Sequence, residues 1–371
     1  MRKNIISLVI LSGFVLLTGC NGGSSGNSTV SPYPYQEEGS YNGVPYSQLG
    51  SPPYLNNYPS AYFPTFNSVT SMASPKIAYG QNSESAITNL AAFVKMGKYI
   101  CSATPVYYNS QQDVTYLVGA AHCFVAAKSY ANTLSSSDLI SNEIISVYNG
   151  ISKEDGWYES FPSKAVYLMR NYCYGATFSS PGGCPNFTSS DGVSGGQGND
   201  LAVIEISGKY ANPESYPSVV PESQYPQQLS MAPVFSIGYG LNTQSPASPD
   251  SDLSRGTMFY VANYFYEQVD TTGYHYLYNS FYNSSSNGYA ALVCGGDSGG
   301  GDLFWTGQKW ILLSEHTYGP DDACGTYYNY LPNAATNVGS YYSWIESIIT
   351  STSPQDWCDT TNSNCVTNYG L

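Results

Sequence analysis

An all-β chain closed by one C-terminal helix is what this sequence predicts, on three observations. Short apolar runs rich in β-branched and aromatic residues recur between turn-forming stretches. Tyr (37), Gly (36) and Pro (22) are abundant while charged residues make up only 10% of the 371 positions, so helix-favouring side chains are scarce. Helical spacing is clear once, at Tyr341, Ile345, Ile348 and Ile349.

Taken in order, residues 1–20 are read as an export signal. Arg2 and Lys3 precede a mostly apolar run, Ile5 to Leu17, too short for a mature membrane span. The run ends in Leu17-Thr18-Gly19-Cys20, which resembles the lipobox of bacterial lipoproteins. That resemblance implies lipidation of Cys20 and a membrane anchor made by its acyl chains; an ordinary secretory signal is the alternative. Asn21 provides no inner-membrane retention signal, so the expected location is the outer membrane or cell surface of a bacterium. Residues 21–76, opening Asn-Gly-Gly-Ser-Ser-Gly, read as a Gly/Ser/Pro/Tyr-rich tether or propeptide without a core of its own. Compact structure is expected over 77–350, with strands at 99–108, 114–121, 165–169, 201–206, 234–239, 257–261 and 310–314. The run Leu201 to Ile206 is nearly all apolar, as in a strand buried on most sides. Residues 351–371 form a tail.

The composition also excludes. A net charge of −14 and 42% hydrophobic residues describe an acidic protein with enough apolar content for a core, and acidity disfavours nucleic acid as a partner. The three histidines, His122, His275 and His316, form no metal-ligand spacing with the cysteines, so neither metal nor cofactor is expected. Nine cysteines are an odd number for an exported protein. Setting Cys20 aside leaves Cys101, Cys123, Cys173, Cys184, Cys294, Cys324, Cys358 and Cys365, which fall into sequential pairs although composition alone leaves the connectivity open.

Three segments carry chemistry. Cys294-Gly295-Gly296-Asp297-Ser298-Gly299-Gly300 sets a hydroxyl among glycines that allow a tight turn and close substrate approach. A serine hydroxyl is a weak nucleophile unless a base takes its proton and N–H donors hold the oxyanion. Gly119-Ala120-Ala121-His122-Cys123 follows an apolar strand, and Asn199-Asp200-Leu201-Ala202-Val203 opens one. Each alone has a bland reading: a turn, a structural histidine, a helix or turn cap. The strand–turn–helix elbow that shares the Gly-x-Ser-x-Gly pattern needs a histidine well downstream, and His316 follows too soon.

In the order His, Asp, Ser these segments resemble the trypsin/chymotrypsin family over most of residues 77–350. The resemblance implies two six-stranded antiparallel β-barrels packed together. It implies Ser298 as nucleophile, His122 as general base and acid, and Asp200 orienting the imidazole. It also implies an oxyanion hole from the N–H groups of Gly296 and Ser298, and Ser314 supporting Asp200. Cys101–Cys123 would pin the histidine loop and Cys294–Cys324 the serine loop. Cys173–Cys184 would staple the long insertion between His122 and Asp200, and Cys358–Cys365 would close a small tail loop.

Pro75-Lys76-Ile77 resembles the family's activation site, which implies an activating protease cutting after Lys76 and a new amine pairing with Asp297. With no cysteine between 21 and 76, cleavage would free the catalytic domain from its lipid. The specificity pocket is expected at Leu292, Ser314, His316 and Asn333, with Glu315 beside His316 on its wall; Leu292 cannot pair with a cation, so a non-basic P1 residue is expected. The expected function is a serine endopeptidase acting on polypeptides, the alternatives being an inactive surface binding protein on the same fold or an esterase.

Overall fold

The computed structural model describes residues 40–49, 81–82, 89–96, 99–124, 145–149, 159–168, 173–174, 197–227, 229, 232–240, 259–271, 274–279, 295–318 and 333–350. Its strands, in chain order, begin with β1 (Ser40–Tyr41), β2 (Val44–Pro45) and β3 (Gln81–Asn82). Then come β4 (Ala92–Met96), β5 (Tyr99–Asn109), β6 (Val114–Gly119), β7 (Ile145–Asn149) and β8 (Glu159–Leu168). A small pair, β9 (Cys173–Tyr174) and β10 (Gln197–Gly198), precedes β11 (Ala202–Ser207). The later strands are β12 (Pro233–Gly238), β13 (Phe259–Thr271), β14 (Tyr274–Asn279), β15 (Gly301–Trp305), β16 (Trp310–Tyr318) and β17 (Asn333–Asn337). Helix α1 (Tyr342–Thr350) ends the described chain.

Two closed rings result. The first runs β11-β6-β5-β4-β7-β8. The second runs β12-β15-β16-β17-β14-β13 and closes through an antiparallel β12–β13 pairing, with β3 added outside on β13. The all-β expectation with its double barrel and terminal helix is met.

The alternation of strand side chains explains the unbroken apolar run at 201–206. Ala202, Ile204 and Ile206 fill the first barrel, while Leu201 and Val203 point the other way, into a second cluster. That cluster also takes Phe235, Tyr239, Leu303 and Leu312 from the second ring and Ile345 and Ile348 from α1, so it is the seam between the barrels. β11 is therefore wet on neither face. Its one ionisable residue, Glu205, is met by Lys164 Nζ at 2.7 Å and the Tyr167 hydroxyl at 2.6 Å.

Residues 40–49 lie in the stretch read as having no core of its own, and they pack instead onto the core of the second barrel. Tyr46 and Leu49 are buried in a third cluster with Phe304, Ile311 and Leu313 of β15 and β16. The Tyr41 and Tyr46 rings pack on Phe304 at centroid distances of 5.3 and 5.8 Å. Low charge and weak periodicity concealed three large side chains that a neighbouring sheet could cover. Tyr46→Ala is expected to lower the unfolding free energy by about 3 kcal/mol, as for other buried aromatic truncations. Urea unfolding at an unchanged m-value checks this.

Residues 1–39 and 50–80, with Cys20, Lys76 and Ile77, lie outside the described residues, as do Leu292 and the tail beyond 350.

Candidate active site

The register of one strand pair brings the first two residues together. β6 and β11 are antiparallel with Gly119 opposite Ala202, so the chain leaving β6 and the chain entering β11 lie side by side. His122 sits in the 3-10 turn Ala121–Phe124 just past β6, and Asp200 just before β11. A disulfide between Cys101 on β5 and Cys123 holds the histidine turn. Asn199 adopts a left-handed φ of 53°, and its Oδ1 accepts from the Tyr341 hydroxyl at 2.9 Å. The carboxylate is thereby aimed. Asp200 Oδ2 lies 2.7 Å from His122 Nδ1, and Oδ1 accepts the His122 backbone N–H at 2.7 Å. Asp200 is fully buried, whereas the imidazole keeps 21% of its side-chain surface exposed, as a base that must reach substrate requires.

The serine turn is fastened by three backbone hydrogen bonds to two strands. Ser298 O accepts the Ser102 N–H at 2.8 Å. Gly299 N–H donates to His316 O at 2.9 Å, and His316 N–H to Gly300 O at 2.8 Å, which ties the turn to β16. Gly296 and Gly299 have φ of +102° and +81°, where an L side chain is strained. Gly299 also backs directly onto the histidine segment: a Cβ there would lie 2.4 Å from Ser102 O and 2.8 Å from Ala120 N. The Ser298 hydroxyl makes no hydrogen bond to His122 in this arrangement, and in apo enzymes such contacts are commonly long until substrate binds. Among the described residues, no acceptor engages the N–H of Gly296 or Ser298.

Asp297 is fully buried. Its Oδ1 accepts the Gly240 N–H at 2.7 Å, and a Cβ at Gly238 or Gly240 would sit within 2.2 or 2.5 Å of its carboxylate oxygens. The Gly-Tyr-Gly of residues 238–240 is the cradle this side chain needs.

The expected pocket is rearranged. Ser314 does not support Asp200: its hydroxyl donates to Asp302 Oδ2 at 2.7 Å. The hydroxyl that reaches the aspartate is that of Thr336, whose Oγ1 donates to the Asp200 backbone O at 3.1 Å and lies 2.6 Å from Thr317 Oγ1. His316 is not on a pocket rim either, being 1% exposed, with Nε2 3.0 Å from Asp302 Oδ1 and Nδ1 3.3 Å from Asp297 O. Glu315 is buried too, and its Oε1 accepts from Thr317. Burial, and then the charge of Asp200, hold its carboxyl well above the usual carboxylate range. The cause of the misplacement is register. β16 carries an extra residue twice, Leu313 against Asp302 and Leu303 of β15 and Thr317 against Ala335 and Ala334 of β17, and such bulges redirect the side chains of a strand without marking its sequence. Asn333 begins β17 opposite Asn279 of β14.

Ser102 was also missed, although it stands in the Cys-Ser-Ala-Thr of the disulfide strand. Its hydroxyl donates to Gly296 O at 3.0 Å and accepts the Tyr239 N–H at 3.0 Å, bracing the turn against β12. Close packing requires glycine at 301, where a Cβ would lie 2.6 Å from Thr104 Oγ1 and 2.7 Å from Leu312 Cδ1. Cys184, Cys294, Cys324, Cys358 and Cys365 lie outside the described residues, as does the side chain of Cys173.

Two barrels, with a histidine–aspartate pair on the first facing a glycine-flanked serine turn on the second, define a serine-peptidase scaffold of the chymotrypsin type. The chain belongs to the trypsin family, whose model, Trypsin, matches residues 90–345. A domain of this family implies polypeptide substrates. No curated protein matches the chain.

Proposed function

We propose that the protein is a serine endopeptidase that cleaves peptide bonds through an acyl-enzyme on Ser298. The observation that carries this reading is the buried Asp200 carboxylate gripping both Nδ1 and the backbone N–H of His122, on a turn packed against the serine loop. In this reading His122 Nε2 takes the Ser298 proton during attack and returns it to the leaving amine. Asp200 keeps the proton on Nδ1 and stabilises the imidazolium. The Gly296 and Ser298 N–H groups receive the developing oxyanion. The chain is made as a zymogen cut after Lys76 by a protease of basic specificity, since Leu292 disfavours a cationic P1 residue in its own substrates. It is exported and, through Cys20, anchored as a bacterial surface lipoprotein.

A fluorophosphonate probe and a peptide library test the proposal together. Stoichiometric labelling at Ser298 with peptide cleavage is expected, and cleavage maps should lack Lys and Arg at P1. No labelling would leave a binding module on a peptidase fold; labelling with ester but no peptide turnover would leave an esterase.

A further inference from the structure

Behind the serine turn lies a buried ion pair with no place in the three-residue machinery. Asp302, on β15, and His316, on β16, are 0% and 1% exposed. Ser236 donates to Asp302 Oδ1, and Ser314 donates to Oδ2 at 2.7 Å. His316 Nε2 approaches the same Oδ1 at 3.0 Å. The other ring nitrogen, Nδ1, faces the backbone oxygen of Asp297 at 3.3 Å.

Both nitrogens thus face oxygens: a carboxylate that already accepts two serine hydroxyls, and a carbonyl, which can only accept. A neutral imidazole has one N–H and would leave a lone pair against one of these oxygens in a fully buried site. Only the imidazolium donates to both. The groups facing the ring point the same way. Burial alone would lower its pKa, but Asp302, by charge and hydrogen bond, and then Asp297 raise it above the ordinary histidine value. The imidazolium is therefore favoured to a higher pH than in an ordinary histidine and is lost as pH rises through that raised value.

The carbonyl it holds matters because of peptide planarity. The Asp297 C=O and the Ser298 N–H belong to one rigid trans unit and point in opposite directions. Anchoring the oxygen, with Gly300 N–H adding a second donor at 2.8 Å, sets where that N–H points. We propose that His316, braced by Asp302, is a positioning residue that aims the Ser298 N–H into the oxyanion hole by donating from Nδ1 to the Asp297 carbonyl. The inference rests on the peptidase reading above. It also makes activity dependent on a second histidine, one that never touches substrate.

The test is the pH profile of p-nitrophenyl acetate hydrolysis, an ester that sidesteps the P1 preference, for the wild type, His316→Gln and Asp302→Asn. A kcat loss of about tenfold to a hundredfold is expected for His316→Gln with KM within twofold, below the cost of deleting an oxyanion donor outright. Its profile should lack the alkaline limb of the wild type, and Asp302→Asn should move that limb to lower pH. Should His316→Gln fail to fold, nitrogen-15 histidine spectra of the fluorophosphonate-blocked wild type decide. A doubly protonated ring for His316 at pH 7, titrating with the alkaline limb, supports the proposal; a neutral ring overturns it. A folded His316→Gln with wild-type kcat and an unchanged limb also overturns it. No fluorophosphonate labelling of wild-type Ser298 is a different result, and it removes the peptidase reading itself.

Discussion

Asp200→Asn is expected to lower kcat by about 10⁴-fold with little change in KM, through the wrong tautomer rather than lost structure. Asp200 uses both oxygens on one residue, Oδ1 for the His122 backbone N–H and Oδ2 for Nδ1, each at 2.7 Å. Asparagine retains one oxygen. The backbone N–H can only donate, so the amide oxygen stays with it and the NH₂ group turns to Nδ1. Nδ1 must then accept, which moves the ring proton to Nε2, the nitrogen that has to receive the Ser298 proton. Since Asp200 is wholly buried and the replacement is isosteric, the fold should survive. The measurement is kcat across pH on a peptide identified by the library, with part of the loss recovered at high pH, where hydroxide can replace the base. A loss below tenfold at neutral pH would show that His122 does not work through this carboxylate.

The second large effect is steric. Gly299→Ala is expected to destabilise the fold by about 4 kcal/mol or more and to abolish fluorophosphonate labelling, because two costs fall on one atom. The backbone sits at φ +81°, and the added Cβ would meet Ser102 O at 2.4 Å, Ala120 N at 2.8 Å and Gly119 Cα at 3.1 Å. Those atoms belong to the disulfide-held strands of the first barrel, so the serine turn must move away from His122. Gly43→Ala provides the control. Its φ of +78° is nearly the same, yet nothing lies within 4 Å of the added carbon. It should cost only about 1 kcal/mol, the backbone strain alone. Thermal melting of both variants against wild type separates conformational strain from the collision; equal shifts would mean that the barrel contact is loose.

The steric result bears on how the two barrels cooperate. The histidine stands just past β6 and the aspartate just before β11 of one barrel, and the serine on a turn of the other. Ser102 spans the division, with its N–H on Ser298 O and its hydroxyl between Gly296 O and Tyr239 N–H. The seam cluster beneath fixes the separation with interdigitated side chains from both rings and α1. On the proposed peptidase reading, catalytic geometry is an outcome of packing between barrels, and changes in that seam should alter kcat before they alter binding.

By itself the sequence determined the all-β class, the terminal helix, the segments that carry His122, Asp200 and Ser298, and the Cys101–Cys123 bridge expected from the family likeness. Those properties are written in local patterns: alternation along a strand, spacing along a helix, and a few residues around a reacting group. The tertiary structure alone decided that residues 40–49 join a core, that Thr336 rather than Ser314 reaches the aspartate, and that His316 is a buried partner of Asp302. A bulge shifts a strand by one residue without marking the sequence, and what covers a tyrosine is set by segments far along the chain. Local chemistry selects the reacting groups; long-range register and packing select their neighbours.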